Sequence, residues 1–172
     1  MVFTIIIRFL GRIEKEEITN ILGSRGLKIH EIEPDGDCLY NAVAHQLSSS
    51  NKKVTGEALR QKAANYIRGN RDEFLPFLSD ENGDPIDTFS FDEYCEKIKK
   101  SCKDGGQWGG EPELRALSCA LERRIEVIQP NGRSAVFGDF EHTKPLIITY
   151  HRFAYSLGEH YNSTVDSLKH SY

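Results

Sequence analysis

Residues 35–47, Asp-Gly-Asp-Cys-Leu-Tyr-Asn-Ala-Val-Ala-His-Gln-Leu, set a thiol, two carboxylates and a glycine in front of an apolar stripe. Leu39, Ala42, Val43 and Leu47 recur at helical spacing, which predicts a helix beginning at about Cys38. Pro34, Asp35, Gly36 and Asp37 are loop formers, and Asp37 reads as its N-cap. A cysteine in a first helical turn sits among unpaired backbone N–H groups at the positive end of the helix dipole. That setting lowers a thiol's pKa toward the nucleophilic thiolate. The same N–H groups could receive an oxyanion during acyl transfer. A cysteine is also an ordinary small core residue, so this stretch alone does not decide between chemistry and packing.

A thiolate nucleophile needs a base held in place by a third group. The chain has six histidines. His45 lies seven residues beyond Cys38 on the same helix, roughly 10 Å up its axis. His30 belongs to a short strand, His142 to a charged loop and His170 to a polar tail. His151 and His160 bracket a loop, 152–159, between two predicted strands. His160-Tyr161-Asn162 has the better pattern. Residues two apart on a strand share a face, so Asn162 can hold the His160 ring while Tyr161 points into packing. By pattern alone, His160 could equally be a polar residue at a strand start.

The elements that must position these groups are legible in outline. Val2–Leu10 is β-prone but reads equally as an apolar tail. Glu14–Leu22 reads as a short helix stopped by Gly23 and Gly26. Leu27–Ile32 alternates as a strand leading into the cysteine loop, and Ser48–Lys53 is a polar loop. A second helix is predicted from about Thr55 to Arg68, burying Leu59, Ala63, Tyr66 and Ile67. Phe74–Leu78 is a dense apolar patch broken by Pro76, followed by a turn-rich loop to Pro85. Ser90-x-x-Glu93 is a capping-box pattern for a helix from Phe91 to about Lys100. Asp104–Gly110, with four glycines around Gln107 and Trp108, predicts a mobile loop. Pro112 opens a helix through Leu121 with Leu114, Leu117 and Leu121 inward. Ile125–Gln129, Ala135–Phe137, Leu146–Tyr150 and Tyr161–Val165 read as strands, with a hairpin turn at Pro130-Asn131-Gly132. Helices early and strands late predict an α+β domain.

With 172 residues, the chain suits one domain with a short extension, which we divide as 1–24 and 25–168. A net charge of −4 argues against a general nucleic-acid binder and fits a partner with a basic face. Cys38, Cys95, Cys102 and Cys119 form no Cys-x-x-Cys, which disfavours a zinc ribbon or a thioredoxin-type motif. They suit a reducing compartment, cytosolic or nuclear. Val2–Leu10 is interrupted by Arg8 and too short to span a bilayer, and it lacks a signal-peptide cleavage region. No metal, cofactor or membrane contact is expected, and the chain reads as a monomer.

Three segments together carry a resemblance: Asp-Gly-Asp-Cys-Leu-Tyr-Asn-Ala (35–42), Trp-Gly-Gly-x-x-Glu-Leu-x-Ala-Leu (108–117) and Gly-Glu-His-Tyr-Asn (158–162). In this order they resemble the ovarian-tumour (OTU) family of deubiquitinating cysteine proteases, over about residues 27–165. Phe-Leu-Pro-Phe-Leu (74–78) and Tyr-Ser-Leu-Gly-Glu-His-Tyr-Asn-Ser (155–163) look most like the branch of OTU-domain-containing protein 6. In that branch a long charged region precedes the protease domain, so the chain reads as a fragment.

The resemblance implies a papain-like fold, a small central β-sheet sandwiched between helices, that hydrolyses the bond after ubiquitin's C-terminal glycine. It makes Cys38 the nucleophile, His160 the general base and Asn162 the orienting residue. Asp35 matches the acid of the cysteine loop, where it would fix Gly36, Asp37 and Cys38 so that they present their N–H groups. Trp108 would pack under a helix start, with Gly109 and Gly110 permitting close backbone approach. Residues 101–107 correspond to a variable loop that contacts substrate, with Trp108 and Gly109 beside it. Residues 152–160 correspond to the histidine loop, where Tyr155 and Glu159 would line a channel for the ubiquitin tail. The acidic, aromatic segment 72–96, with Phe77, Asp80 and Glu81, reads either as the surface for the distal ubiquitin, whose apolar patch is flanked by arginines and lysines, or as apolar residues capping the core under a solubilising acidic surface. Partners would be ubiquitin, ubiquitinated proteins and polyubiquitin chains. The alternatives are a catalytically silent ubiquitin-binding module and a papain-like acyl hydrolase or transferase acting on small molecules.

Overall fold

A computed structural model of the chain describes residues 2–48, 52–80 and 82–168. Five strands form one sheet: β1 (Leu27–His30), β2 (Ile125–Ile128), β3 (Ser134–Phe137), β4 (Leu146–His151) and β5 (His160–Asp166). Their order is β1-β5-β4-β2-β3, with every pair antiparallel except β2 and β4. Asn131 and Gly132 both take left-handed φ, at 63° and 66°, as a tight hairpin between β2 and β3 requires.

Successive residues on the central strands face opposite layers, and both layers are helical. Ile147 and Ile128 pack with Ile18 and Leu22 of α1 (Val2–Ser24). Leu146, Ile148, Ile125 and Val127 join the larger core beneath α2 (Cys38–Leu47). Because both faces are covered, β4 reads Leu-Ile-Ile-Thr without polar alternation. Behind α2 lies α3 (Gly56–Gly69), whose N-cap Thr55 accepts a hydrogen bond from the Ala58 N–H, and α3 in turn carries α5 (Phe91–Lys99) and α6 (Glu111–Leu121). The short α4 (Arg71–Phe74) and a single 3₁₀ turn at Leu75–Phe77 complete the helical layer. This is the α+β sandwich that the sequence predicts.

Three expectations need correction. Val2–Leu10 is not a strand but the first half of α1. Its inward positions, Ile7, Gly11, Glu14, Ile18 and Leu22, recur at helical spacing, and a glycine and an acid in that stripe disguise it. The Ser90/Glu93 capping box is not made. Ser90 has no capping bond, and its N–H goes to Asp87 Oδ1 at 2.8 Å instead. The glycine-rich run is tied down in its first half, where Gly106 donates to the Ser101 carbonyl and Gln107 to that of Lys97. Part of the predicted 48–53 loop, together with Glu81 and His170, lies outside the described residues.

Candidate active site

The cysteine loop turns on its two acids, which do different work. An Asp35 carboxylate oxygen accepts the Asp37 N–H at 2.8 Å, and its carbonyl accepts the Cys38 N–H at 3.3 Å. Asp37 precedes the helix but does not cap it. Its carboxylate turns away to accept from Arg60 Nε at 2.8 Å, the Cys102 N–H at 3.1 Å and the Ser101 hydroxyl. Burial opposes ionisation there, yet the bonds from Ser101 and Cys102 and the Arg60 charge hold the carboxyl below its ordinary range.

Arg60 is 1% exposed and binds the carbonyls of Ile98 (2.9 Å), Gln107 (3.0 Å) and Gly36 (3.2 Å), with its guanidinium stacked 4.2 Å over Tyr40. One side chain thereby ties the cysteine loop to residues 101–107. Sequence reasoning missed it, although Arg60 shares the inward register of Ala63, Ala64 and Ile67 on α3, where an arginine is out of place. Gly36 is needed for the same closeness, since a Cβ there would meet Cys102 Sγ at 2.3 Å and Trp108 Nε1 at 2.8 Å.

Cys38 is 3% exposed, at the start of α2. Burial pushes its thiol up to about 11, and the Asp35 charge adds to the rise. Backbone amides of Tyr161 and Leu39 pull the other way without prevailing. The lowered pKa expected of a helix-start thiol is therefore absent, because desolvation of the anion outweighs the dipole. The Tyr161 amide beside the sulfur brings the helix start against the residue that follows His160. Among the described residues no hydrogen bond joins Cys38 to His160, and burial disfavours the charged form of each.

His160 opens β5, and its Nε2 meets Asn162 Oδ1 at 2.9 Å, as the two-residue spacing predicts. Burial lowers the His160 pKa and the Asn162 bond opposes it. With Nε2 held by a carbonyl oxygen, Nδ1 is the basic nitrogen. The Asn162 amide is itself locked: Oδ1 also accepts the Ile32 N–H at 2.8 Å, and Nδ2 donates to the Tyr155 hydroxyl at 2.6 Å. Tyr155 then donates to Glu31 Oε2 at 2.5 Å, and Glu31 pairs with Lys15 of α1 at 2.6 Å. Tyr161 faces the opposite layer, packed on Tyr150.

The remaining histidines are placed elsewhere. His151 pairs across the sheet with His160, is fully buried, and bonds Thr149 through Nε2 at 2.9 Å. Burial, with His160 nearby, pushes it down to about 4, so it stays neutral. His30 and His45 stack on each other 3.8 Å apart, and His45 bonds Ser163. His142 is exposed on a loop.

A groove of about 390 Å³ runs beside this centre, lined by Gly109, Glu111, Tyr150, Glu159 and Tyr161 among others. Glu159 thus faces the groove, whereas Tyr155 belongs to the Asn162 network. Gly109 approaches Tyr40 so closely that a Cβ would lie 3.0 Å from its ring, but Gly110 has room for one. Trp108 is 43% exposed beside Gly36 instead of packed under a helix start. In segment 72–96, Phe74 and Leu78 join the core while Phe77 and Phe89 are exposed. Its acids are partly engaged: Asp92 and Glu96 pair with Arg68, Glu73 with Arg115, and Asp80 holds its own turn through the Asn82 and Asp84 amides. Among the described residues no cluster of three or more metal-ligating side chains occurs, and no helix is long and apolar enough to cross a membrane.

Residues 33–161 match the family described as OTU-like cysteine protease. The chain is 42% identical over 151 residues to the human protein named deubiquitinase OTUD6B, covering 87% of this chain and 50% of that protein. It is 40% identical to OTU domain-containing protein 6A of Mus musculus, covering 88% and 50%. The chain therefore spans about half the length of these curated relatives. A solved structure of the OTUD1 OTU domain superposes with a TM-score of 0.66 at 25% identity, covering 91% of this chain and 97% of that one. An ovarian-tumour domain solved in complex with ubiquitin superposes at 0.60 with 21% identity, covering 81% and 69%, and shares the fold.

Proposed function

Because the chain belongs to the family of OTU-like cysteine proteases, we propose that it is a deubiquitinase, a thiol-dependent hydrolase of the (iso)peptide bond after the C-terminal glycine of ubiquitin. The observation that carries this reading is the His160 Nε2···Asn162 Oδ1 bond of 2.9 Å, on the strand whose Tyr161 amide lies against the Cys38 sulfur. The name of the human relative, a deubiquitinase, and a fold shared with a ubiquitin-bound domain support it.

Cys38 attacks the glycine carbonyl carbon as its proton passes to His160 Nδ1. The resulting oxyanion is met by N–H groups of Gly36, Asp37 and Cys38. The Asp37 and Cys38 amides must first leave Asp35, whose carboxylate and carbonyl accept them at rest. His160 then protonates the departing lysine amine, leaving a thioester on Cys38. Water then attacks the thioester carbonyl, giving a proton to His160; the C–S bond breaks, the ubiquitin carboxylate leaves, and His160 returns the proton to the Cys38 sulfur. Asn162 keeps Nε2 protonated, and being uncharged it stabilises imidazolium less than a carboxylate would. Asp35 shapes the loop, and Asp37 anchors it through Arg60.

The ubiquitin tail lies in the groove of Gly109 and Glu159, with Trp108 at the rim. The distal ubiquitin body rests on segment 72–96, where exposed Phe77 and Phe89 stand among acids such as Asp80 and Asp84. Its substrates are ubiquitinated proteins and polyubiquitin chains. It works as a monomer in the cytosol or nucleus, where four unpaired cysteines stay reduced.

Ubiquitin carrying a C-terminal electrophile tests this reading. An adduct on Cys38 is the expected result. Binding without adduct would make the chain a silent ubiquitin-binding module, and indifference to the probe would point to a small-molecule acyl hydrolase.

A further inference from the structure

Helix α1 reaches the histidine loop through a buried acid. Glu14 is 4% exposed, and its carboxylate accepts three consecutive backbone N–H groups: Arg152 at 2.8 Å, Phe153 at 3.0 Å and Ala154 at 3.1 Å. Three charge-assisted bonds to one short stretch hold that stretch far more firmly than a surface contact would. Three residues earlier on the same face, Gly11 lets the helix backbone touch the loop. A Cβ there would come within 2.6 Å of the Phe153 carbonyl oxygen and 2.9 Å of the Ala154 Cα. The clamped residues lie between His151 and His160, the ends of β4 and β5.

The next residue is Tyr155, whose ring sits 4.0 Å from the His160 ring and whose hydroxyl receives Asn162 Nδ2. Strand register puts Asn162 and His160 with Thr149 and His151 on the sheet face that carries α1. If the Asn162 amide turned over, it would aim its NH₂ at two other donors, His160 Nε2 and the Ile32 N–H. The tyrosine hydroxyl fastens the correct orientation.

From these contacts we infer that Glu14 and Tyr155 are positioning residues: α1, through its carboxylate clamp on residues 152–154, seats Tyr155 so that the Asn162 amide holds the His160 ring for proton transfer. The inference deepens the proposed hydrolase and rests on it. It makes α1 a working part of the active centre, with an effect on turnover and not on substrate affinity.

The test is a pair of double-mutant cycles on the 172-residue chain, reading kcat and KM with ubiquitin–fluorophore and checking folding by thermal melts. Glu14→Ala and Tyr155→Phe should each lower kcat about tenfold with KM nearly unchanged, by analogy with the loss of outer-shell partners that orient metal ligands. In an Asn162→Ala background neither should cost anything further, because the group through which they act is gone. A merely structural role would persist in that background. Should Glu14→Ala fail to fold, the Tyr155→Phe cycle carries the test alone. Unchanged kcat in the folded variants, a change confined to KM, or losses that multiply with that of Asn162→Ala would overturn the inference. If the unaltered chain neither turns over substrate nor forms the probe adduct, the proposed function itself fails and takes this inference with it.

Discussion

Cys38 should behave as an unreactive thiol until substrate arrives. Its pKa of about 11 compares with an ordinary 9.0, the cause being burial with Asp35 beside it. At pH 7 the thiolate fraction is then on the order of 10⁻⁴, against roughly 10⁻² for an exposed thiol. A more basic thiolate is intrinsically a better nucleophile, with a Brønsted slope near 0.4–0.5, which returns about eightfold of that hundredfold loss. Ionisation alone thus leaves alkylation roughly tenfold slower than that of a free thiol, and an Sγ that is 3% exposed slows it further. The assay is iodoacetamide labelling of the free chain, quantified at the Cys38 peptide by mass spectrometry so that Cys95, Cys102 and Cys119 are scored separately. The labelling rate should climb about tenfold per pH unit without a plateau up to pH 10. A plateau already reached at pH 6–7, with labelling as fast as for a free thiol, would refute the reasoning. It would mean that a thiolate–imidazolium pair exists at rest and that the helix dipole outweighs burial after all.

Cys38→Ala should abolish turnover while leaving ubiquitin binding intact by titration calorimetry, since a covalent route has no other nucleophile. His160→Ala should be nearly as damaging in steady-state assays, and Asn162→Ala should cost about 10- to 100-fold in kcat because orientation alone is lost. Arg60→Ala should destabilise the fold by about 2–3 kcal/mol in denaturant melts, since the carbonyls of Ile98, Gln107 and Gly36 lose their donor while Ser101 and Cys102 still hold the Asp37 carboxylate. Phe77→Ala together with Asp84→Lys should raise KM at low ionic strength with kcat unchanged, if segment 72–96 receives the basic, apolar face of ubiquitin. An unchanged KM at low salt would place ubiquitin elsewhere.

What was legible in the sequence was whatever short-range backbone geometry decides. The start of α2 at Cys38, the turn at Asn131-Gly132 and the meeting of His160 with Asn162 each depend on neighbours a few residues away, whose periodicity is visible in the chain. The family resemblance of segments 35–42, 108–117 and 158–162 added the chemical roles, because together those segments are far more specific than any one alone. Tertiary structure alone decided the groups satisfied across the fold. Glu14 finds its amides 138 positions downstream, and Arg60 finds Gly36 behind it and Gln107 ahead. Neither partner is within reach of any local pattern, and both residues look like mistakes in an apolar stripe until the other side is in place. The state of the Cys38 thiol belongs to the same class. Position at a helix start is local and predicts a thiolate, whereas burial is a property of the whole molecule, and the cost of desolvating the charge is the larger effect.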